Sequence, residues 1–553
     1  MTTPVSNKQF WWLLIVIAVI WFANLEYRTL IKPDEGRYAE IPREMVVSGD
    51  WVTPRLNDLK YFEKPPLQYW ATAAAYTVFG EHQWTTRLWV GLTGFAGLLL
   101  VWLAGLRLFG REAAGYAALL LSSSLLYVLM SHINTLDMGV TFFISLGLFA
   151  LLLGQSETNV KKQRNWMWLA WAGMALAVLS KGLMGIILPG TAVFIYCLVQ
   201  RDFSVLKRMH WLSGMAIFLL ITAPWFYLVM QANPEFFDRF FIYEHYTRFT
   251  TKDLGRYQPW YYFVPILLAG ALPWTVLLFD AMFRTAFGKV QPRSTGVDKP
   301  FNAERFLLVW AVFIYLFFTI SGSKLPSYLL PMFPALVLLM GKRIAEMRER
   351  VLFWQIVPVV PVALVWLVLA LNVGSFADTP NQIALYPNYS VWLVVASLLM
   401  LFGLLSGMAL LWRKHKLPAV LVLSLSALLS AQIGLSGYNT VARERSAKHI
   451  AEAIRAEVKP AIPFYSVLTY EQTLPFYLQR TFTLVQYQDE MGFGLRQEPE
   501  RWIPTLEQFA KVWASQPEGL AIMPVYVYPM LQQLELPMKI IFEDAQHIVV
   551  KKP

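Results

Sequence analysis

A chain of 553 residues that is 56% hydrophobic and only 15% charged, with mean hydropathy +0.45, carries more apolar surface than a soluble domain can bury. Its net charge of +11 comes from Lys and Arg gathered in short loops between apolar stretches, which is a topological signal and argues against nucleic-acid binding. The single cysteine, Cys197, lies inside one of those stretches and excludes an intrachain disulfide framework.

In chain order, stretch 10–30 is long enough to span and lacks a small-residue cleavage site, so it reads as a retained anchor. The hydrophilic segment 31–85 follows. It carries Pro33-Asp34-Glu35-Gly36 and then an amphipathic stretch, 37–47, with Tyr38, Ile41 and Met45 on one face and Arg37, Glu40 and Glu44 polar. That pattern suits a helix lying in the membrane interface, bent at Pro42. Segment 66–80 begins after two prolines, contains Gln68 and falls short of the roughly 20 residues a span needs. It reads as a second interfacial helix. Twelve further spans are expected at 86–108, 113–131, 137–154, 166–181, 183–200, 211–230, 260–281, 306–321, 326–340, 351–373, 390–412 and 418–437, making about thirteen in all. Polar composition returns in 438–553. There helical patterns (443–458, 504–515) alternate with strand-like runs (464–469, 519–525, 539–542, 547–551), the mark of a small α/β domain.

Charge decides the topology. With a cytoplasmic N-terminus and an interfacial 66–80, six inner loops are basic: 107–111, 161–164, 201–208, 284–305, 342–350 and 413–416. If 66–80 spanned, these clusters would move outside. Thirteen spans then put the C-terminus, with domain 438–553, on the outer side. The first 437 residues form the membrane domain.

The residues that break the charge pattern sit on the outer side. Asp34 and Glu35 are either solvated loop acids or carboxylates placed to meet a lipid-borne head group. Lys64 in Glu63-Lys64-Pro65-Pro66 either snorkels or offers a compact charge to a phosphate. Asp137 opens a span, where an acid commonly caps the helix; a cap and a site acid are compatible roles. Lys181 in Ser180-Lys181-Gly182 and Lys324 in Ser323-Lys324-Leu325-Pro326-Ser327-Tyr328 each occupy a tight outer hairpin, against the charge rule. Together with Lys64 they make a cationic rim suited to anionic head groups. Glu244, His245 and Arg248 lie in the second outer loop, 231–259. His245 with Glu63 reads either as surface residues or as a divalent-metal pair, and no spacing motif favours the metal. No phosphate-binding glycine loop, dinucleotide fingerprint or nucleophile elbow stands out, so a nucleotide cofactor is not expected.

The Pro33-Asp34-Glu35-Gly36-Arg37-Tyr38 segment, Glu63-Lys64-Pro65-Pro66-Leu67-Gln68-Tyr69-Trp70, Arg87-Leu88 and Arg107-Leu108-Phe109-Gly110 resemble the C-type glycosyltransferases. These are polytopic enzymes that use polyprenyl-phosphate sugars, the protein O-mannosyltransferases among them. Ser323-Lys324-Leu325-Pro326-Ser327-Tyr328-Leu329-Leu330-Pro331, with the tail from Tyr438, is similar more narrowly to the bacterial lipid A aminoarabinose transferases. The resemblance implies the C-type fold in a multi-pass protein of the bacterial inner membrane. It implies passage of 4-amino-4-deoxy-L-arabinose from undecaprenyl phosphate to a lipid A phosphate on the periplasmic face, lowering affinity for polymyxin. Asp34 then matches the catalytic acid, with Asp137 a second acid nearby. Lys64 matches the donor-phosphate lysine, and Arg37, Tyr38 and Tyr61 line its pocket. Lys181, Lys324, Tyr328 and Arg248 complete the phosphate-binding set, and a divalent metal at Glu63 and His245 is a further implied feature. A lipid phosphate is already ionised at neutral pH, so Asp34 orients the donor or stabilises charge on the sugar.

Three other readings fit parts of the sequence. A C-type transferase for protein Ser/Thr or another glycolipid shares all the motifs. A transporter of lipid-linked sugar favours paired halves and charges near the midplane. A structural membrane protein with a partner-binding tail leaves the outer lysines unexplained.

Overall fold

The computed structural model describes residues 7–247, 258–288 and 301–553. Every one of the thirteen apolar stretches contains helix. Among the described residues, eight helices are long and apolar enough to cross a membrane unaided: Gln83–Leu108, Asp137–Gln155, Trp211–Ala232, Ala303–Ile320, Pro326–Glu346, Glu349–Leu371, Pro380–Trp412 and Lys416–Glu444. A ninth is the pair Trp260–Gly270 and Thr275–Phe287, bent by 111°. Trp11–Phe22 and Met184–Gln200 are apolar but shorter, so length and composition single out eight or nine spans rather than thirteen. The protein is polytopic.

Two of the expected continuous spans are broken, and the breaks serve each other. Pro273 cannot donate to the helix and disfavours helical backbone at Leu272. The carbonyl of Leu272 accepts instead from the Leu125 amide at 3.3 Å. Leu125 starts the short helix Leu125–Met130, which is separated at Ser124 from Arg111–Ser123. Trp274 Nε1 donates to Ser123 Oγ at 2.9 Å. Polar groups freed in an apolar slab need such partners, so breaks in adjacent helices fall at the same depth.

Close packing fixes the hairpin made by Asp137–Gln155 and Val160–Lys181. A Cβ on Gly173 would lie 2.8 Å from the Gly147 amide nitrogen, so only glycines let these backbones meet. Antiparallel helices joined by a short turn bring the start of one to the end of the other. Asp137 and Lys181 are those two ends.

The segment after the first apolar helix folds as Asp34–Ser48, the small antiparallel pair Arg55–Leu56 and Leu59–Lys60, and Leu67–Phe79. The last has 13 residues, too few to span, as expected of 66–80. Pro42 is accommodated inside Asp34–Ser48, but the helix does not turn a polar face to water. Glu35, Arg37, Glu40, Arg43 and Glu44 are all buried. Glu35 is enclosed from the membrane domain by Arg28 and Arg87, and the C-terminal domain lies over the helix. Tyr38, Ile41, Met45, Leu56, Leu59 and Tyr61 share one apolar core with Ile450, Phe464, Tyr470, Leu484 and Leu495.

The C-terminal domain holds a six-stranded mixed sheet in the order Trp502–Ile503, Thr483–Val485, Phe464–Val467, Leu520–Pro524, His547–Lys551, Lys539–Glu543. The first four run parallel; the last two join antiparallel. All four expected strands are present. The two additional ones, of three and two residues, are too short for period-2 alternation to reveal. The second face of the sheet packs Phe509 and Trp513 of Leu506–Ser515 against Tyr465 and Val467.

Candidate active site

Asp34 is the first residue of Asp34–Ser48 and keeps its side chain 44% exposed, while its neighbour Glu35 is fully buried. The adjacent acids therefore differ in role. Glu35 receives Arg87 Nε at 2.7 Å and Nη2 at 2.9 Å, Arg28 Nη1 at 3.1 Å, and the amides of Asn134 and Ile31 at 3.0 and 3.1 Å. Burial opposes its ionisation, but the two guanidiniums outweigh that and hold the carboxyl at about 2. This cluster ties together the end of the first helix, the start of Gln83–Leu108 and the turn that leads into Asp137. It sets the distance between Asp34 and the Asp137 end of the bundle.

At that end Asp137 forms an ion pair with Lys181, whose ammonium also sits 5.0 Å from the Tyr328 ring centre. Leu136 occupies the cap position, so Asp137 is the first helical residue and pairs with the hairpin's other end. Asp34 lies within electrostatic range of Lys181. Tyr328 stands on the turn Pro326–Met332 with its ring 4.8 Å from Phe318. Lys324, on the approach to that turn, is 4% exposed and donates to the Gln258 carbonyl at 2.9 Å. It binds the second outer loop.

On the other flank Lys64 and Glu63 are half-buried, and Lys64 Nζ bonds the Glu63 carbonyl at 2.9 Å. Arg37 lies 5.8 Å from the ring centres of both Tyr38 and Tyr61, is 3.5 Å from Asp34, and pairs with Glu490 of the C-terminal domain. Burial pushes the Tyr38 and Tyr61 phenols well above their ordinary range, so both stay neutral hydrogen-bonding groups. Tyr38 in turn packs against Tyr69 at 6.1 Å.

The C-terminal domain reaches this flank because Gly36 lets it. A Cβ on Gly36 would lie 2.5 Å from the Gln472 carbonyl oxygen. Gln472 then donates to Glu490 at 2.8 Å. Phe62 packs against Phe236 and Phe493 at 5.3 and 5.7 Å, closing the first loop, the second loop and the C-terminal domain onto one aromatic cluster. Arg239 spans the same junction, over Phe493 at 5.0 Å and paired with Glu244 at 2.8 Å.

The structure thus brings together Asp34, Arg37, Tyr38, Tyr61, Glu63 and Lys64 on one flank and Asp137, Lys181 and Tyr328 on the other. Arg248 falls outside the described residues, and so does the side chain of His245. Among the described residues no three of His, Cys, Asp and Glu gather as a cation requires, and the pairing of Glu63 with His245 lies outside the described residues. The motif reading missed Glu35's partners, Arg28 and Arg87, although a charged Arg87 opening a span was a visible signal. It missed Glu490 and Gln472 altogether, since nothing local marks them.

A family model described as dolichyl-phosphate-mannose-protein mannosyltransferase matches residues 63–228, and one described as aminoarabinose transferase C-terminal domain matches 450–552. ArnT from Cupriavidus metallidurans, crystallised with undecaprenyl phosphate, is 37% identical, with 99% of each chain covered and a TM-score of 0.92. The chain belongs to the aminoarabinose transferase family. Undecaprenyl phosphate-alpha-4-amino-4-deoxy-L-arabinose arabinosyl transferase 1 of Proteus mirabilis is 33% identical over 62% of this chain and 61% of its own length. The Erwinia tasmaniensis counterpart is 36% identical over 59% of this chain and 57% of its own length. The matched part therefore spans about three fifths of these curated aminoarabinose transferases. The archaeal oligosaccharyltransferase AglB from Archaeoglobus fulgidus shares the fold at 12% identity and a TM-score of 0.52.

Proposed function

We propose that this protein transfers 4-amino-4-deoxy-L-arabinose from undecaprenyl phosphate to a phosphate of lipid A on the periplasmic face of a bacterial inner membrane. The N-terminus is cytoplasmic and the C-terminal domain periplasmic. The observation that carries this reading is the end-to-end likeness to an aminoarabinose transferase that binds undecaprenyl phosphate, joined to acids and lysines concentrated at one rim. Lys64 holds the donor phosphate. The bond from the sugar anomeric carbon to that phosphate oxygen breaks, and undecaprenyl phosphate leaves with the electron pair. An already ionised oxygen of the lipid A phosphate forms the new bond, so no proton has to be removed. Asp34 faces the positive charge that develops on the sugar. Lys181, held by Asp137, offsets the second phosphate.

Glu63 and His245 remain the residues proposed to hold a divalent cation, and no step is routed through one. The match to the mannosyltransferase model favours a second reading, transfer to a protein hydroxyl, which shares the donor chemistry but needs a base. A transporter is disfavoured because the charges gather at helix ends instead of the midplane. Purified protein in liposomes with synthetic donor, lipid A and an acceptor peptide separates these readings. Mass spectrometry should find the aminoarabinose on lipid A; glycopeptide as the product would establish the second reading, and no transfer would refute both.

A further inference from the structure

Glu490 enters the site from the short turn Asp489–Met491 of the C-terminal domain, and the transfer chemistry above gives it no task. Its side chain is 11% exposed. Gln472 holds one carboxylate oxygen and Arg37 pairs with the other. A carboxylate has about four acceptor positions, so each oxygen can take another donor. Burial pushes its pKa up despite Arg37 beside it, so a further cation would favour its charged form.

Two features point to such a cation. First, the hydroxyls of Tyr61, Tyr69 and Tyr470 are buried without a hydrogen-bond partner among the described residues. Tyr61 and Tyr470 lie within electrostatic range of Glu490, and the Tyr61 ring shares the Arg37 guanidinium. Buried hydroxyls are ordinarily satisfied, so those beside a ligand site are acceptors and donors held for it. Second, among the described residues this flank sets carboxylates (Asp34, Glu63 and Glu490) beside cations (Arg37 and Lys64), so it can meet both signs of charge on one ligand. An amino-sugar donor carries both signs: its phosphate hangs on C1 and its ammonium on C4, across the ring. The Lys64 end of the flank suits the first and the Glu490 end suits the second.

We propose that Glu490 receives the 4-ammonium of the donor sugar, with the Tyr61 hydroxyl as a second acceptor, and thereby selects an amino sugar over its hydroxyl counterpart. This rests on the aminoarabinose reading. It makes the C-terminal domain a specificity element as well as a cover for the first loop.

The test compares two undecaprenyl phosphate donors, one carrying 4-amino-4-deoxy-L-arabinose and one carrying L-arabinopyranose, with full-length protein in liposomes and lipid A as acceptor. Wild type should prefer the amino donor. Glu490→Gln keeps the shape and one acceptor oxygen for Arg37, while its NH2 faces Gln472, which can turn its own amide to accept. It should lower kcat/KM for the amino donor roughly 10- to 100-fold, mainly through KM, as loss of a charge-assisted hydrogen bond does. The arabinose donor should stay within about twofold, since a hydroxyl bonds a carboxamide nearly as well. Glu490→Asp should restore part of the preference. Equal losses on both donors would make Glu490 a mere support for Arg37 and overturn the inference, as would no loss on either. If Glu490→Gln does not fold, Tyr61→Phe carries the same comparison: selective loss of the amino donor supports the inference and equal loss overturns it. A wild type that transfers both sugars equally overturns the inference alone. One that transfers neither overturns the function proposed above.

Discussion

Asp34 and Glu35 are neighbours in sequence and opposites in physics. Glu35 is an acceptor wholly enclosed by two guanidiniums and two amides, so removing its charge leaves Arg28 and Arg87 buried and uncompensated. Glu35→Gln should cost about 3–5 kcal/mol, read as a lower unfolding temperature in detergent. Asp34 is half exposed and constrains little. Asp34→Asn should leave unfolding unchanged while lowering kcat by about 10²- to 10⁴-fold, the range for a group acting on the reacting centre. Lys64→Ala should raise KM for the donor, again without loss of folded protein. A stable Glu35→Gln protein together with an unstable Asp34→Asn one would reverse these roles and refute them.

The elements carry the second lesson. The helix Asp34–Ser48 was legible as an amphipathic run, but its surroundings were not, because Arg37, Glu40 and Glu44 read as water-facing. Glu40 is matched by Arg43 one turn on, and the other partners come from elsewhere: Glu490 for Arg37, and the Asn57 and Asp58 amides at 2.6 and 2.8 Å for Glu44. Hydropathy counts charge and cannot register that a charge is matched. The Asp137–Lys181 pair was within reach of the sequence, since two adjacent antiparallel helices necessarily place those ends together. Glu490 was not, because its place depends on how the C-terminal domain docks. Gly36 is the hinge of that docking. Gly36→Ala puts a methyl 2.5 Å from a backbone oxygen that cannot yield cheaply. An overpacking cost of about 1–3 kcal/mol should appear as looser docking of the C-terminal domain. Limited proteolysis should then clip the chain near 438–447 faster than in wild type. Unchanged protection would show that the contact relaxes elsewhere.

Across the whole molecule, the C-terminal domain is also fastened to the segment preceding Asp34 by charge. Lys32 pairs with Glu471 at 2.7 Å, Glu471 meets His547 at 3.0 Å, and Asp544 meets His449 at 2.8 Å and faces His547 at 3.7 Å. Burial alone would lower the His547 pKa; the Asp544 and Glu471 carboxylates raise it to about 9 from an ordinary 6.5. Protonated His547 therefore contributes its full stabilisation below pH 6.5, and that contribution is lost as pH rises through about 9. The unfolding temperature of wild type should fall between pH 7 and 9.5 (about one unit either side of the midpoint region), and that of His547→Gln should stay flat. Equal slopes would remove His547 from the linkage. All of this presumes that Asp34, Lys64 and Lys324 share the outer side with the C-terminal domain. Single cysteines at these positions, with buried Cys197 replaced by serine, can be probed in intact spheroplasts with a thiol reagent that does not cross membranes. The account predicts labelling of the half-exposed positions 34 and 64 from outside, before lysis, and none of the three reached only from within; labelling only after the cytosol is opened would split the site across the bilayer and contradict it.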